Sequence, residues 1–202
     1  TLFQNSLQNP KNNMMKDNYL LKSNIDGHVK LVCPLQWNKN KHQWKPKWDV
    51  IEYVPYQYNS DNISLVSELI RTNLTSDLLA SKYIEGNFRN ALYGHCFHAT
   101  QTMYYLMQTN LLVSMRGIDA IGEHHWWLMD KTTEIIIDVT GGQYDAFDYS
   151  PPYINGKKTA WYTFKKTPKT QTLNLIQKVL PLSIRYITQS PHDNYQTLDA
   201  FM

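Results

Sequence analysis

The feature that most narrows the fold is a helix-to-strand transition in the middle of the chain. From Cys96, the residues Ala99, Met103 and Leu106 recur at i, i+3, i+7 and i+10, which is one apolar stripe along a helix. Asn110 and Leu111 end that helix. Leu112-Val113-Ser114-Met115, His124 to Met129 and Glu134 to Thr140 then read as three strands. The turn Asp130-Lys131-Thr132-Thr133 joins the last two, and Gly141-Gly142 stops the third. A helix with one apolar stripe must bury it, and the strands that follow supply a sheet to bury it against. The expected class is therefore α+β, with a central helix that carries Cys96 packed on an antiparallel sheet.

The flanks are less informative. Residues 1–17 are rich in Asn, Gln and Lys without periodicity, which predicts a flexible arm that can drape over an assembly partner. A single α+β domain is expected over 18–187, divided into a hairpin and helices at 18–86 and a core at 87–187. Within it, Leu31-Val32-Cys33-Pro34-Leu35 and Val50-Ile51-Glu52-Tyr53-Val54 read as strands bracketing a Trp/Lys segment, a hairpin. Ser64 through Asn73 carries Leu65, Leu69 and Ile70 at helical spacing, and Ser76 is placed to cap a short helix holding Leu78, Leu79 and Tyr83. Glu85-Gly86-Asn87 reads as a break. Thr159 to Phe164 is expected as a strand and Pro168 to Leu180 as a helix with Leu173, Ile176 and Leu180 inward. Residues 188–202 form an irregular tail.

Composition excludes several classes. A hydrophobic fraction of 42% with 13% aromatics argues against general disorder. A formal charge of +3 is too mild to mark a nucleic-acid footprint, and Lys39, Lys41, Lys45 and Lys47 beside Trp37, Trp44 and Trp48 fit a solvated hairpin better than a single-strand grip. No apolar run reaches the roughly 18 residues of a membrane span, and no signal-peptide pattern opens the chain. The start at Thr1 rather than Met leaves a removed targeting segment open. Two cysteines, Cys33 and Cys96, are too few for a disulfide framework and fit a reducing, cytoplasmic setting.

The chemistry concentrates around Cys96. The thiolate is the attacking species, and a helix N-terminus or a neighbouring imidazolium favours it. Strand alternation puts His125, Trp127 and Met129 on one face, and Glu134, Ile136, Asp138 and Thr140 on one face of the neighbouring strand. His125 and Asp138 can then meet across the ladder, giving a nucleophile, base and orienter. His124 points to the opposite face, so only one of the two histidines can serve. The Cys96 N–H is one oxyanion donor, with Asn87, Asn90 and Tyr93 as candidates for a second. His95 and His98 flank the thiol and are expected to hydrogen-bond locally. A metal reading of His95, Cys96, His98 and His125 fails on direction, because Cys96 and His98 diverge on a helix and no C-x-x-C or H-E-x-x-H accompanies them. No cofactor or metal is expected. Asp145 and Asp148 read as loop residues, Cys33 as structural, and Trp126, Trp127, Tyr104 and Tyr105 as core or pocket wall.

Gly94-His95-Cys96, His125-Trp126-Trp127 and Asp138-Val139-Thr140, in that order over about 88–142, resemble the transglutaminase-like superfamily. The resemblance implies a papain-like α+β core with Cys96 as nucleophile, His125 as base and Asp138 as orienter. The G-H-C-F-x-A helix start, the H-W-W-L strand, the D-V-T strand, and the later Pro151-Pro152-Tyr153 and Lys166-Thr167-Pro168-Lys169 are similar to phage and bacterial proteins that share such a fold and triad. The usual His-Ala-Trp is His-Trp-Trp here, so Trp126 reshapes the pocket beside the base. The expected function is cysteine-dependent acyl transfer on a protein, peptide or other amide through a thioester, as peptidase, amidase, deamidase or transglutaminase-type enzyme. The alternative is a non-catalytic binding or structural module of a viral particle or larger assembly that keeps the fold, in which case it is virion-associated. His124, His95, Asn90 and Trp127 are accessory candidates.

Overall fold

The computed structural model describes residues 50–159 and 168–180 continuously, together with the short strands 20–22, 29–31, 35–38, 43–46 and 186–188. The expected arm at 1–17, Cys33, the tail beyond Thr188 and nearly all of the expected strand 159–164 lie outside these residues. The described chain is α+β, with helices and antiparallel sheets. Among the described residues no helix is long and apolar enough to cross a membrane.

The helix expected from the apolar stripe is α3, Cys96–Met107, named in sequence after α1, Ser60–Thr72, and α2, Ser81–Arg89. Ala99, Met103 and Leu106 are fully buried on it. On α1 the side chain of Asn59 caps the N-terminus by accepting from the Asn62 N–H at 2.8 Å. The inward residues of α1 are Val66 and Ile70, whereas Leu65, expected to face in, is 49% exposed. Ile70 faces in as expected and Leu69 packs partly buried against the core, so the departure is confined to Val66 taking the inward place of Leu65. Ser76 opens only a short 3-10 turn, Ser76–Leu78, and a separate helix α2 follows. Glu85-Gly86-Asn87 lies inside α2 and does not break it. Gly86 is there for space: a Cβ would stand 2.6 Å from the ring of Tyr93. Its glycine marks a close approach.

Strands β6, Leu112–Ile118, and β7, His124–Asp130, form an antiparallel hairpin, flanked by β8, Ile136–Ile137, and β9, Lys157–Lys158, in the order β8-β7-β6-β9. Asp130, expected at the start of a turn, anchors it: its Oδ1 accepts from Thr132 N–H, Thr132 Oγ1 and Thr133 N–H, and its Oδ2 from Tyr58 Oη. Those hydroxyl and amide donors hold its carboxyl well below the usual range. The third expected strand is much shorter than Glu134 to Thr140. Glu134 takes a left-handed φ of 59°, and the chain leaves the sheet after Ile137 for a 3-10 turn at Gly141–Tyr144.

A second sheet lies N-terminal to these elements in sequence. The pair β2, Val29–Leu31, and β5, Val50–Tyr53, is antiparallel and encloses a nested hairpin of β3, Leu35–Asn38, and β4, Gln43–Pro46. With β1, Leu20–Lys22, and β10, Tyr186–Thr188, the order is β1-β2-β5-β10. Two bonds tie β5 and its exit to the end of α3: Tyr53 Oη donates to Tyr105 O at 2.6 Å, and Tyr56 N–H to Leu106 O at 2.9 Å. Those carbonyls sit in the last turn, where intrahelical donors run out. The last helix, α4, Thr170–Val179, packs Leu173, Leu175 and Ile176 into the same core as Leu106, Met103 and Leu128. Each such side chain stabilises by about 1.5–3 kcal/mol relative to exposure, which is what holds α3 rigidly against β7.

Candidate active site

The position of Cys96 is set by a match of spacing. Four residues along an α-helix advance about 6 Å, and two residues along a strand about 6.6 Å. Cys96 and Thr100 use that coincidence. Thr100 Oγ1 donates to Trp126 O at 2.9 Å, and the Cys96 thiol to His124 O at 3.6 Å. These bonds fall on β7 before its pairing with β8 begins at Leu128. The result places the first turn of α3 beside His125. Gly94, just ahead, adopts a φ of +83° and has the Tyr83 side chain where a Cβ would stand, so the chain can turn sharply into the helix only with glycine there.

His125 and Asp138 meet as the expected alternation predicts, despite the shortened strand. His125 Nε2 lies 2.6 Å from Asp138 Oδ2, with the side chains 1% and 4% exposed. Asp138 also accepts from Tyr153 Oη at 2.8 Å and from the Thr140 N–H at 2.9 Å. Three donors around one buried carboxylate fix its orientation. Burial alone would lower the His125 pKa, yet hydrogen bonding and charge from Asp138 and Cys96 outweigh it and push the imidazole up to about 9. Trp127 stacks on the ring at 5.9 Å and Tyr144 meets it edge-on at 5.0 Å. Trp127, an accessory candidate, is therefore a wall of the site.

The other imidazole nitrogen is engaged too. Gln143 Nε2 lies 2.7 Å from His125 Nδ1, both side chains being buried. With Nε2–H directed at Asp138, Nδ1 of the neutral ring accepts from the Gln143 amide N–H, and in the charged ring, the form held below about pH 9, Nδ1–H donates to the amide oxygen instead. Gln143 is a site residue that the sequence does not single out. No motif signals it, because the 3-10 turn that aims it follows a strand that ends early. Tyr153 is likewise a partner that spacing could not disclose.

Several expectations need correction. His124 is exposed, and its contribution is its carbonyl rather than its ring. His95 is fully buried, and neither ring nitrogen has a hydrogen-bond partner among the described residues; burial pushes its pKa down to about 4. His98 bonds across to α4 rather than locally, through Nδ1 to Thr172 Oγ1 at 2.9 Å, and Thr172 in turn donates to Gln101 Oε1 at 2.7 Å. Asn90 and Asn87 are used as scaffold. Asn90 Nδ2 donates to Gln143 O at 2.7 Å, and Asn87 Nδ2 to Ala91 O at 3.0 Å and Tyr93 O at 3.1 Å. The Asn87 amide is spent on main-chain carbonyls, and Asn90 commits one of its two N–H groups to Gln143 O. Asn90 instead steadies the turn that presents Gln143. Among the described residues no group of three or more His, Cys, Asp or Glu is placed to hold a metal ion.

Chemically, the arrangement sets a thiol, an imidazole and a carboxylate in sequence. Cys96 itself is 8% exposed. Comparison with known protein families, with characterised proteins and with solved structures finds no match.

Proposed function

We propose that this chain is a thiol acyl-transfer enzyme with a transglutaminase-like, papain-like core, in which Cys96, His125 and Asp138 act as nucleophile, base and orienter. The observation that carries the reading is the buried His125–Asp138 pair, 2.6 Å apart, held beside a cysteine at the first turn of a helix. Structural histidines seldom need a carboxylate that is itself fixed by two further donors. A base that must hold one tautomer and then carry charge does.

The reaction begins from the neutral form of His125: the Cys96 proton passes to Nδ1, giving the imidazolium that Asp138 holds, and sulfur attacks an amide or ester carbonyl. The carbonyl π electrons move onto oxygen, where the Cys96 N–H at the start of α3 is a donor. The oxyanion collapses, the C–N or C–O bond breaks, and His125 returns the proton to the leaving group, giving a thioester. Water or an amine then releases the acyl group. For the first transfer Gln143 must yield Nδ1. Its amide suits both states, since Nε2–H donates to neutral imidazole and Oε1 accepts from imidazolium. The protonated thiol, resting on His124 O, is then the closed form of the site.

A second reading is a binding or structural module that keeps the fold. The low exposure of Cys96 and its bond to a main-chain carbonyl favour it. Alkylation by iodoacetamide separates the two. The enzyme reading expects Cys96 to react at pH 7 at least tenfold faster than in His125→Ala. A thiol equally slow in both proteins refutes it and leaves the module.

A further inference from the structure

We infer that the cleft next to the thiol site is a receptor for carboxylates, and that the acyl donor carries acidic residues within a few positions of the reacting group. The second half of that statement rests on the acyl-transfer reading; the first does not. The cleft has a volume of about 830 Å³, and among the described residues its lining includes Arg116, Trp126, Asn155, Lys157 and Lys158 but no acid.

Strand register assembles the cations. Arg116 stands directly opposite Trp126 on β7 and directly opposite Lys157 on β9, while Lys158, which is opposite Met115, also lines the cleft. Like charges directly opposite each other across strands are destabilising. Among the described residues, none of the three forms an ion pair. All three are exposed, so the charge is offered to solvent. An anion laid between Arg116 and Lys157 turns that repulsion into attraction.

The cleft adjoins the thiol through the helix rather than through the imidazole. Trp126 is on the opposite face of β7 from His125, and Phe97, which follows Cys96 on α3, meets the Trp126 ring edge-on at 5.0 Å. Neighbouring strands are about 4.8 Å apart and an extended peptide rises about 3.3 Å per residue. Lys157, two strands from β7, is then about 10 Å from Trp126, or about three peptide residues. The occupant is a polypeptide rather than a single-stranded nucleic acid, because among the described residues the lining of the cleft interleaves its cations with a single aromatic ring, Trp126, where a strand-binding groove offers a series of stacking platforms. The Arg116 guanidinium lies over that ring at 5.5 Å and Phe97 meets it edge-on, so the ring serves to seat the cation.

The test uses the full chain and two measurements. Fluorescently labelled hexaglutamate is titrated by anisotropy against Cys96→Ala, with hexaserine and an oligothymidylate of equal charge as controls. Saturable hexaglutamate binding is expected, about tenfold weaker when Arg116→Glu and Lys157→Glu are added, with hexalysine binding gained in its place. Unchanged affinity in the reversed variant, preference for the oligothymidylate, or no hexaglutamate binding overturns the cleft. Because the gain for hexalysine is a positive signal, it cannot come from misfolding; Lys157→Ala with Lys158→Ala provides a milder second variant. The parent is then alkylated with bromoacetyl-hexaglutamate and with bromoacetamide. The tethered reagent is expected to label Cys96 at least tenfold faster, an advantage lost in the charge-reversed protein while the bromoacetamide rate stays unchanged. Brisk reaction with bromoacetamide and no advantage for the acidic reagent overturns the placement beside the thiol. A thiol inert to bromoacetamide while hexaglutamate still binds overturns the acyl-donor half and upholds the receptor.

Discussion

The His125–Asp138 pair makes the stability of this protein depend on pH in a direction that can be worked out. In the unfolded chain His125 titrates near 6.5, and in the folded protein it is held up to about 9 by Asp138 and Cys96. A group whose folded pKa is raised contributes its full stabilisation below the unfolded value and loses it as pH climbs through the folded one. The window is therefore pH 6.5 to 9, and the upper bound is about 3 kcal/mol. A second effect of opposite slope adjoins it. Burial pushes His95 and His98 down to about 4, with like charge a lesser cause for His98. Between pH 4 and 6.5 the unfolded chain binds protons that these folded histidines refuse, so stability rises with pH there. A maximum near pH 6.5 is expected. Urea unfolding of the parent, His125→Gln and Asp138→Asn at half-unit steps reads this directly. The parent should lose about 2–3 kcal/mol more than either variant between pH 6.5 and 9. Parallel curves across that interval, or a parent that gains stability, would refute a charged imidazole held by a buried carboxylate.

Three other substitutions address the supports of the site. Gln143→Ala removes the hydrogen-bond partner of Nδ1 and should cost about 1–2 kcal/mol, while iodoacetamide labelling of Cys96 at pH 7 rises a few-fold because the base is released; slower labelling would reverse the role given to Gln143. Thr100→Val keeps the shape but strips Trp126 O of its partner, so a loss of about 1 kcal/mol in chemical denaturation and slower labelling are expected together. Gly94→Ala must place a Cβ against Tyr83 at a φ of +83°; thermal unfolding should report a loss of at least about 1 kcal/mol, and an unaffected melting temperature would show that this turn is not what seats the thiol.

Legibility from the sequence followed the length of the periodic signal. The stripe through Ala99, Met103 and Leu106 fixed α3 closely, because twelve residues give the 3.6 period room to show. Strands β6 and β7 were visible for the same reason. Ile135-Ile136-Ile137 misled, since β-branched residues favour a strand but cannot reveal that Glu134 enters with a positive φ and that the chain leaves the sheet two residues later. His125 and Asp138 could be paired because one diagonal step separates them. Gln143 could not, as its direction depends on a 3-10 turn and on the Asn90 amide far back in the chain. Gly86 shows the limit from the other side: glycine reads as a breaker in one dimension and as clearance for Tyr93 in three.

The rungs from Cys96 and Thr100 to the carbonyls of His124 and Trp126 act as a gear mesh between two repeats of different pitch. One tooth of the helix engages one pleat of the strand, and the two periods agree only over a single turn before they drift apart. The alignment of sulfur and imidazole is consequently discrete. Sliding the helix by one tooth would set Trp127 where His125 now stands, and nothing in between satisfies both carbonyls. Insertions elsewhere can lengthen loops without consequence, but a one-residue change between Gly94 and Thr100, or between Glu123 and Trp126, would move the thiol to the wrong neighbour altogether.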